Sequence, residues 1–247
     1  MTAPSPRLPR RALITGAARR LGRVLALALA RDGFDIALHY RRSAAEAREV
    51  AAAVRALGRR CLLLPADLAR PREVDELMAR AVDGLGVPGL LVNNASRFTD
   101  DAHTGFDRSA FRDQLAVDLE APVALTLALA RALPPAAEGV VVQMLDARIL
   151  APTARRLAYT VAKAGLWAAT RVLARRLAPR VRVVALAPDL VLPAPGSEGE
   201  AARITARSPL GRRTTPEEIA EAVRFVLRTP SLTGVLLPLD AGRIGGP

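Results

Sequence analysis

The sequence has little cysteine, few aromatic residues and no long apolar run. Of its 247 residues, one is cysteine and 3% are aromatic. The single thiol, Cys61, excludes an intramolecular disulfide and is typical of a reducing cytoplasm, where we expect the protein to reside. No stretch of about 18 consecutive apolar residues occurs, so we expect neither a membrane-spanning helix nor a membrane partner.

Lysine is almost absent. Lys163 is the only lysine among 36 basic residues, and all the others are arginines. The net charge of +12 could indicate a nucleic-acid partner. The arginines are scattered, however, and no basic stripe alternates with aromatic residues. We therefore expect no nucleic-acid partner, and we identify no metal site.

Strand-like and helix-like segments alternate through the chain. Seven short apolar strands and six helices predict an α/β fold with a single Rossmann-type doubly wound parallel sheet and helices on both faces. One domain is expected over residues 11–247, after a disordered tail at 1–10. Residues 188–213 are rich in proline and glycine, with a short helical patch at 198–205, and predict a substrate lid at about 189–213.

A glycine-containing turn joins the first strand to the first helix. Strand 11–15 leads into Gly16 and then Gly22, and the helix continues to about Arg31. Backbone N–H groups in such a turn, and the helix N-terminus behind it, suit a pyrophosphate. The sequence therefore predicts a dinucleotide site.

The end of the second strand, at 34–40, carries cations where a dinucleotide fold meets the adenosine ribose. Arg41, Arg42 and Ser43 suit the extra phosphate of NADPH, whereas a carboxylate would favour NADH. The alternative is that both arginines are solvated loop charges. Asp67, which follows strand 61–65, is expected beside the adenine.

The chemistry is expected where Asp146 follows the fifth strand, at 139–145, and where Tyr159 and Lys163 begin a helix that runs to about Ala178. A spacing of four places these two side chains on one helix face. Lowering the pKa of a tyrosine from about 10 to about 7 takes roughly 4 kcal/mol. An ammonium about 4 Å away supplies about that much at an effective dielectric of about 20. Tyr159 is thus predicted to be a proton donor with a lowered pKa; the alternative is a core tyrosine beside an exposed lysine.

The glycine turn, the Asn93-Asn94-Ala95 segment and the Tyr159/Lys163 pair, in this order, resemble the short-chain dehydrogenase/reductase family over residues 11–242. Four further features resemble the pteridine reductases within it: the region 41–47, Arg20 in the glycine turn, Ser96 with Phe98, and Asp146 where most relatives have serine. The resemblance implies an NADPH-dependent reduction of a dihydropterin or dihydrofolate to the tetrahydro form, in a homotetramer.

The resemblance also implies roles for individual residues. Asp146, Tyr159 and Lys163 would be catalytic. NADPH would be bound by Gly16, Arg20, Leu21, His39, Arg41, Arg42, Ser43, Asp67, Leu68, Asn94, Ala95, Ser96, Tyr159, Lys163 and Pro188. The substrate would meet Arg20, Ser96, Phe98, Asp146 and Tyr159, with Phe98 stacked on the pterin ring; the alternative for Phe98 is core packing.

Asp146 has a chemical consequence of its own. An ionised carboxylate repels the negative charge that develops on a ketone oxygen, but it stabilises a ring nitrogen that gains a proton. Asp146 therefore favours an imine-like substrate. Two alternatives remain: a general carbonyl or 3-oxoacyl-thioester reductase, and a non-catalytic NADPH-binding protein.

Two positions depart from the family pattern. Asp118 stands where most relatives have asparagine, and an ionised aspartate cannot donate to a water in the proton route. Asp189 stands where relatives usually have glycine, for which the sequence offers no explanation. Arg243, near the chain end, is expected to reach a neighbouring active site. The sequence does not specify which pterin is reduced.

Overall fold

The computed structural model of the chain describes residues 5–98, 105–153, 155–193, 196 and 198–244. The outer part of the predicted tail, residues 1–4, and lid residues 194, 195 and 197 lie outside this set. The strands are β1 (Arg11–Ile14), β2 (Asp35–Tyr40), β3 (Cys61–Pro65), β4 (Leu90–Asn93), β5 (Gly139–Met144), β6 (Val181–Pro188) and β7 (Leu236–Leu239). The helices are α1 (Arg20–Arg31), α2 (Ala44–Ala56), α3 (Pro71–Leu85), α4 (Arg108–Leu115), α5 (Ala121–Ala132), α6 (Leu157–Leu177), α7 (Glu198–Ala206) and α8 (Pro216–Arg228).

The seven strands form one parallel sheet in the order β3-β2-β1-β4-β5-β6-β7. This confirms the predicted doubly wound α/β fold. The chain builds the sheet outward from β1 to β3, then returns to the centre and builds from β4 to β7. The order reverses between β1 and β4, and the crevice above their carboxyl ends is where such sheets bind ligands.

Alternate residues of the strands face opposite sides of the sheet, and each side carries its own core. Ile14 and Val142 pack into a core shared with α1, α2 and α8. Their neighbours Leu13 and Val141 pack into a second core, shared with α3, α5 and α6. Because both faces are covered by helices, the central residues of the strands are apolar on both sides of the sheet.

The predicted single helix at 109–132 contains an irregular segment. Residues Ala116–Glu120 form a π-helical turn between α4 and α5. Pro122 has no N–H to donate to the carbonyl of Asp118, and its ring crowds that carbonyl, so a regular turn is disfavoured here. The wider turn carries Asp118, which is buried.

The start of the chain departs from the prediction of a disordered tail. Among the described residues, Leu8 is 4% exposed and belongs to the first core. The amide of Glu138 donates to the carbonyl of Arg7 at 3.1 Å, and the two side chains form an ion pair. Residues 5–10 thus contact the rest of the fold through an apolar residue that lies between two prolines.

In the described part of the chain, no helix combines the length and apolar character that crossing a bilayer requires. No cluster of three or more histidine, cysteine or acidic side chains suited to a metal ion occurs among those same residues.

Candidate active site

The glycine turn is held tightly against the loop that follows β4. The amides of Asn94 and Ala95 both donate to the hydroxyl of Thr15, each at 2.9 Å. Gly16 has a φ of +65°, and a Cβ there would lie 3.0 Å from the Cα of Ala95. A Cβ on Gly22 would lie 2.2 Å from the carbonyl oxygen of Gly16. Both glycines are therefore required by the close approach of backbone segments.

A cavity of about 550 Å³ opens above this turn. Most of the predicted cofactor residues line it: Gly16, Arg20, Leu21, His39, Arg41, Arg42, Ser43, Asp67, Leu68, Asn94, Ala95 and Ser96. Phe98 lines the same cavity at its far end. Tyr159, Lys163, Asp146 and Pro188 lie outside this lining set; Tyr159 is nonetheless adjacent, because its ring centroid is 5.0 Å from that of Phe98.

His39 has a different role from the one predicted. Its Nδ1 accepts a hydrogen bond from the amide of Gly16 at 3.0 Å, and its Nε2 lies 3.0 Å from the carbonyl of Ala66. Burial lowers the pKa of His39 to about 4, so the imidazole is neutral, with the proton on Nε2. Both ring nitrogens are used within the protein, and His39 supports the glycine turn rather than offering a nitrogen to a cofactor.

Arg41 and Arg42 are exposed at the end of β2, beside the cavity. Neither takes part in the ion pairs found among the described residues. Asp67 lies at the end of β3, where its carboxylate accepts from the amide of Ala69 at 3.1 Å. The cations and the carboxylate thus border one cavity, as the strand order predicts.

Tyr159 and Asp146 meet directly. The Tyr159 hydroxyl donates to Oδ2 of Asp146 at 2.9 Å, and Oδ1 of Asp146 accepts from the amide of Arg148 at 2.8 Å. Burial raises the pKa of Tyr159 well above its usual value, and the nearby carboxylates of Asp146 and Asp118 add to the rise. The prediction of a lowered tyrosine pKa is therefore wrong.

Lys163 has partners other than the Tyr159 hydroxyl. Its ammonium donates to the carbonyl of Met144 at 2.9 Å and lies 3.1 Å from Oδ1 of Asp118. It is 5.7 Å from the centroid of the Tyr159 ring. The cation is balanced by one carboxylate, while the phenol faces another.

Asp118 was recognised in the sequence only as a departure from the family pattern, not as a site residue. Its carboxylate accepts from the amide of Arg97 at 3.0 Å and from the side chains of Ser96 and Gln114. The spacing of four between Gln114 and Asp118 on an expected helix could have indicated one of these contacts. The family resemblance places position 118 in the proton route from Lys163, but no local pattern indicates their direct contact across the fold.

Phe98 is 55% exposed, which excludes the alternative of core packing. Its ring meets that of Tyr159 edge to face at 87°. The guanidinium carbon of Arg156 lies 3.7 Å from the Phe98 centroid. A planar cation thus stacks on the aromatic face that the sequence assigned to a substrate ring.

Two arginines fasten the segment predicted to be a lid. Arg20, whose backbone is left-handed at φ 52°, donates to the carbonyls of Leu192 and Pro193. Arg243 donates to both oxygens of Asp189, with Nη2 2.6 Å from Oδ1. Arg243 therefore has a partner in its own chain, and the pair accounts for the aspartate at position 189.

Comparisons with known proteins agree with this geometry. A family model described as enoyl-(acyl carrier protein) reductase matches residues 16–243. A 3-oxoacyl-[acyl-carrier-protein] reductase from Synechocystis is 29% identical, over 94% of this chain and 96% of the relative. FabG from Pseudomonas aeruginosa, a 3-oxoacyl-[acyl-carrier-protein] reductase, is 30% identical with the same coverage.

Solved structures give a second set of relatives. The FolM alternative dihydrofolate reductase 1 from Brucella canis, crystallised with NADP, has a TM-score of 0.90 and 36% identity, over 96% of this chain and 94% of that one. Its counterpart from Brucella suis, also in complex with NADP, has a TM-score of 0.89 and 36% identity, over 96% and 95% of the two chains. With the family model covering most of the sequence, the chain belongs to the short-chain dehydrogenase/reductase family.

Proposed function

We propose that this protein is an NADPH-dependent pteridine reductase that converts a dihydropterin or dihydrofolate to its tetrahydro form. The observation that carries the proposal is the hydrogen bond from the Tyr159 hydroxyl to the Asp146 carboxylate. Asp146 replaces the serine that most relatives have at this place. The similarity to the two Brucella alternative dihydrofolate reductases supports the same substrate class.

The charge of Asp146 distinguishes between the groups that could accept the hydride. A ketone oxygen becomes negative as hydride arrives at its carbon, and a carboxylate beside it raises the energy of that state. A ring C=N bond has the opposite requirement, because its nitrogen takes up a proton. A carboxylate stabilises the positive charge on that nitrogen. Asp146 is therefore better suited to a pterin than to a ketone.

The residues of the cavity fit NADPH, which supplies the hydride when bound. The amides of the glycine turn and the N-terminus of α1 suit the pyrophosphate. Arg41, Arg42 and Ser43 suit the phosphate on the adenosine ribose. An ammonium has three N–H donors; those of Lys163 serve Met144 and Asp118 and leave one for the nicotinamide ribose.

Tyr159 and Asp146 manage the proton that accompanies the hydride. Before the reaction, the Tyr159 hydroxyl keeps its proton and donates a hydrogen bond to the Asp146 carboxylate. When a substrate nitrogen lies between them, Tyr159 can transfer its proton to that nitrogen, while Asp146 stabilises the cation. The phenolate that remains is reprotonated from water before the next turnover. Hydride and proton together saturate the C=N bond.

The far end of the cavity is the proposed substrate seat. Phe98 offers an exposed aromatic face next to Tyr159. A flat pterin stacked there takes the place of the Arg156 guanidinium on that face. Ser96 and Arg20 border the same space. Residues 189–213 are proposed as the lid over this seat.

A second candidate function is reduction of a 3-oxoacyl thioester. It is favoured by the names of the Synechocystis and Pseudomonas relatives, which are 29% and 30% identical to this chain. On the same site it would require Asp146 to be protonated, so that the side chain donates to the carbonyl oxygen.

The test is the rate of NADPH oxidation with a dihydropterin, compared with a 3-oxoacyl thioester at equal concentration. Faster turnover of the dihydropterin is expected. Thioester turnover without dihydropterin turnover would replace the proposal by the second candidate. Tight NADPH binding without any turnover would point to the non-catalytic alternative, a dinucleotide-binding protein.

We also propose a cytoplasmic homotetramer. The long helix α6 exposes Leu157, Val161 and Val172, and exposed apolar side chains on one helix support a subunit contact. Cys61 is a free thiol in the core, consistent with a reducing compartment. Sedimentation of the purified protein tests the assembly; a monomer would contradict it.

A further inference from the structure

The most completely enclosed charge near the proposed catalytic residues belongs to Asp118. Its side chain is fully buried, with no exposed surface. Ser96 and Lys163 meet Oδ1, the latter at 3.1 Å, and Gln114 and the Arg97 amide meet Oδ2. Three of the four neighbours, the Lys163 ammonium, the Gln114 amide and the Arg97 N–H, are donors, and the Ser96 hydroxyl, which also lies 3.0 Å from the Arg97 carbonyl, can donate as well. Two oxygens surrounded by donors fit a carboxylate rather than a carboxylic acid.

The π-helical turn puts Asp118 in this place. The π turn contains one residue more than a regular α-helical turn. The extra residue changes the rotation of α4 relative to α5 about the helix axis. Gln114, on the α4 side, reaches the carboxylate from one side, and Lys163, on α6, reaches it from the other. The irregular turn is therefore coupled to the lysine of the proposed active site.

Lys163 and Tyr159 consequently have separate carboxylate partners. The ammonium faces Asp118, and the phenol faces Asp146. Asp146, Asp118, Arg148 and Lys163 are the charged groups around the phenol: Arg148 follows β5, Asp118 comes from the π turn, and Lys163 comes from α6 itself. With Asp118 ionised, the field of Lys163 at the phenol is largely cancelled, because the two opposite charges are close together.

We infer that Asp118 is a positioning residue that neutralises Lys163 and thereby keeps Tyr159 in its protonated form, so that the site is built to donate a proton rather than to accept one. The inference concerns the ionisation of Tyr159 and rests on the proposed function only for its catalytic consequence. That consequence is a pH profile: reduction, which needs the phenol, persists to high pH, and the reverse oxidation, which needs a tyrosinate as the base, begins only at high pH.

Asp118→Asn is the informative substitution, since it removes the charge and changes the shape of the side chain little. The ammonium is then uncompensated, and an uncompensated opposite charge within about 4–6 Å lowers the pKa of an acid by about 1–3 units. We expect the ionisation of Tyr159 to move down by at least about 1 unit. The pH above which dihydropterin reduction declines should fall with it.

The ionisation can be measured without any substrate. The chain has 2 tyrosines, Tyr40 and Tyr159. In a Tyr40→Phe background, the ultraviolet absorbance of tyrosinate reports Tyr159 alone. Without further change, Tyr159 should stay protonated up to the pH at which the protein unfolds; with Asp118→Asn, it should titrate within the folded range. Because no substrate is used, failure of the pteridine proposal leaves this test intact.

Ser96→Ala is the matched control. It removes one donor from the same carboxylate but leaves the charge of Asp118 in place, so the Tyr159 titration should stay where it is. If Asp118 had only a structural role, Ser96→Ala and Asp118→Asn would both lower the unfolding temperature and neither would move the titration. That result would overturn the inference.

A double variant covers the case in which Asp118→Asn does not fold. Adding Lys163→Gln removes both charges, and removing both members of a buried ion pair is tolerated better than removing one. We expect the double variant to fold more stably than Asp118→Asn alone and to keep Tyr159 protonated. Equal destabilisation of the two variants would contradict the assignment of Asp118 as the counterion of Lys163.

Discussion

Two parts of the site are held together in different ways. We call the glycine turn, with His39 and the loop at 94–95, the cofactor cradle, and the region of Phe98, Arg20 and residues 189–213 the substrate end. In the cradle, short side chains and backbone amides bind each other: the Thr15 hydroxyl accepts from the amides of Asn94 and Ala95, and His39 accepts from that of Gly16. At the substrate end, long side chains form the contacts. Arg20 donates hydrogen bonds to the carbonyls of Leu192 and Pro193, and Arg243 donates to the carboxylate of Asp189.

The difference has a thermodynamic consequence. A cradle built from backbone is already in its binding geometry, so little ordering is required when a dinucleotide enters. Contacts made by arginine side chains immobilise several rotatable bonds each and can be exchanged for contacts to a ligand. In the proposed function, the cradle would therefore fix where the cofactor lies, and the substrate end would be the part that can rearrange.

Removing the hydroxyl group of Tyr159 should produce the largest effect on activity. We expect Tyr159→Phe to lower dihydropterin turnover by about 10²–10⁴-fold, the usual contribution of a positioned proton donor. NADPH affinity should change little, because the cradle does not depend on this hydroxyl. Steady-state kinetics and NADPH fluorescence titration measure the two quantities; undiminished turnover would exclude Tyr159 as the donor.

Protonation of His39 at acid pH should lower the free energy of unfolding. Burial holds the pKa of its imidazole at about 4, against 6.5 for the unfolded chain. Between these values the unfolded state binds more protons, so stability is complete above about pH 6.5 and falls as the pH drops toward 4. The loss approaches about 3 kcal/mol.

Denaturant unfolding at several pH values measures this loss. His39→Gln, which does not titrate, should flatten the dependence over that range. His103→Gln, at the other histidine of the chain, should preserve it. A pH dependence that persists in His39→Gln would assign the effect to other groups.

A methyl group at Gly22 should damage the cradle directly. Its Cβ would lie 2.2 Å from the Gly16 carbonyl oxygen and 2.8 Å from the Cα of Ala17, both backbone atoms. We expect Gly22→Ala to weaken NADPH binding by about 10–100-fold, because the turn must shift by a substantial fraction of an ångström.

Gly199→Ala is the matched control, since a Cβ at that position in α7 would meet nothing within 4 Å. It should leave NADPH affinity unchanged and stabilise the helix slightly. Equal losses in the two variants would mean that the glycine turn is not the cofactor cradle.

Strand number, strand direction and most of the cavity lining could be predicted from the sequence. Each depends on local pattern: apolar runs of four to eight residues, and polar residues that follow them. Two features could not be predicted. The π turn depends on how Pro122 and Asp118 fit against α6, and the Lys163–Asp118 pair joins residues far apart in sequence. The error in the pKa of Tyr159 has another main cause, the burial of the phenol, to which the carboxylates of Asp146 and Asp118 add.

The clasp between Asp189 and Arg243 should give the smallest effect, and one confined to the substrate end. Hydrogen bonds from Arg243 to Asp189 hold the first residue after β6 to the segment after β7 and raise the pKa of the arginine. Asp189→Asn leaves Arg243 with a neutral partner. A partly buried ion pair contributes on the order of 1 kcal/mol, so we expect KM for the dihydropterin to rise about fivefold with little change in kcat.

Arg212→Gln is the control at the other end of the lid. It breaks the Arg212–Glu218 pair, whose Nη2–Oε1 distance is 2.6 Å, but that pair is more exposed and lies at the start of α8. It should leave KM unchanged. Limited proteolysis between residues 189 and 213 should accelerate in Asp189→Asn alone. If KM and the rate of proteolysis change equally in both variants, the Asp189–Arg243 pair does not specifically restrain residues 189–213. The substrate end would then depend on its arginines no more than the surface of α8 does.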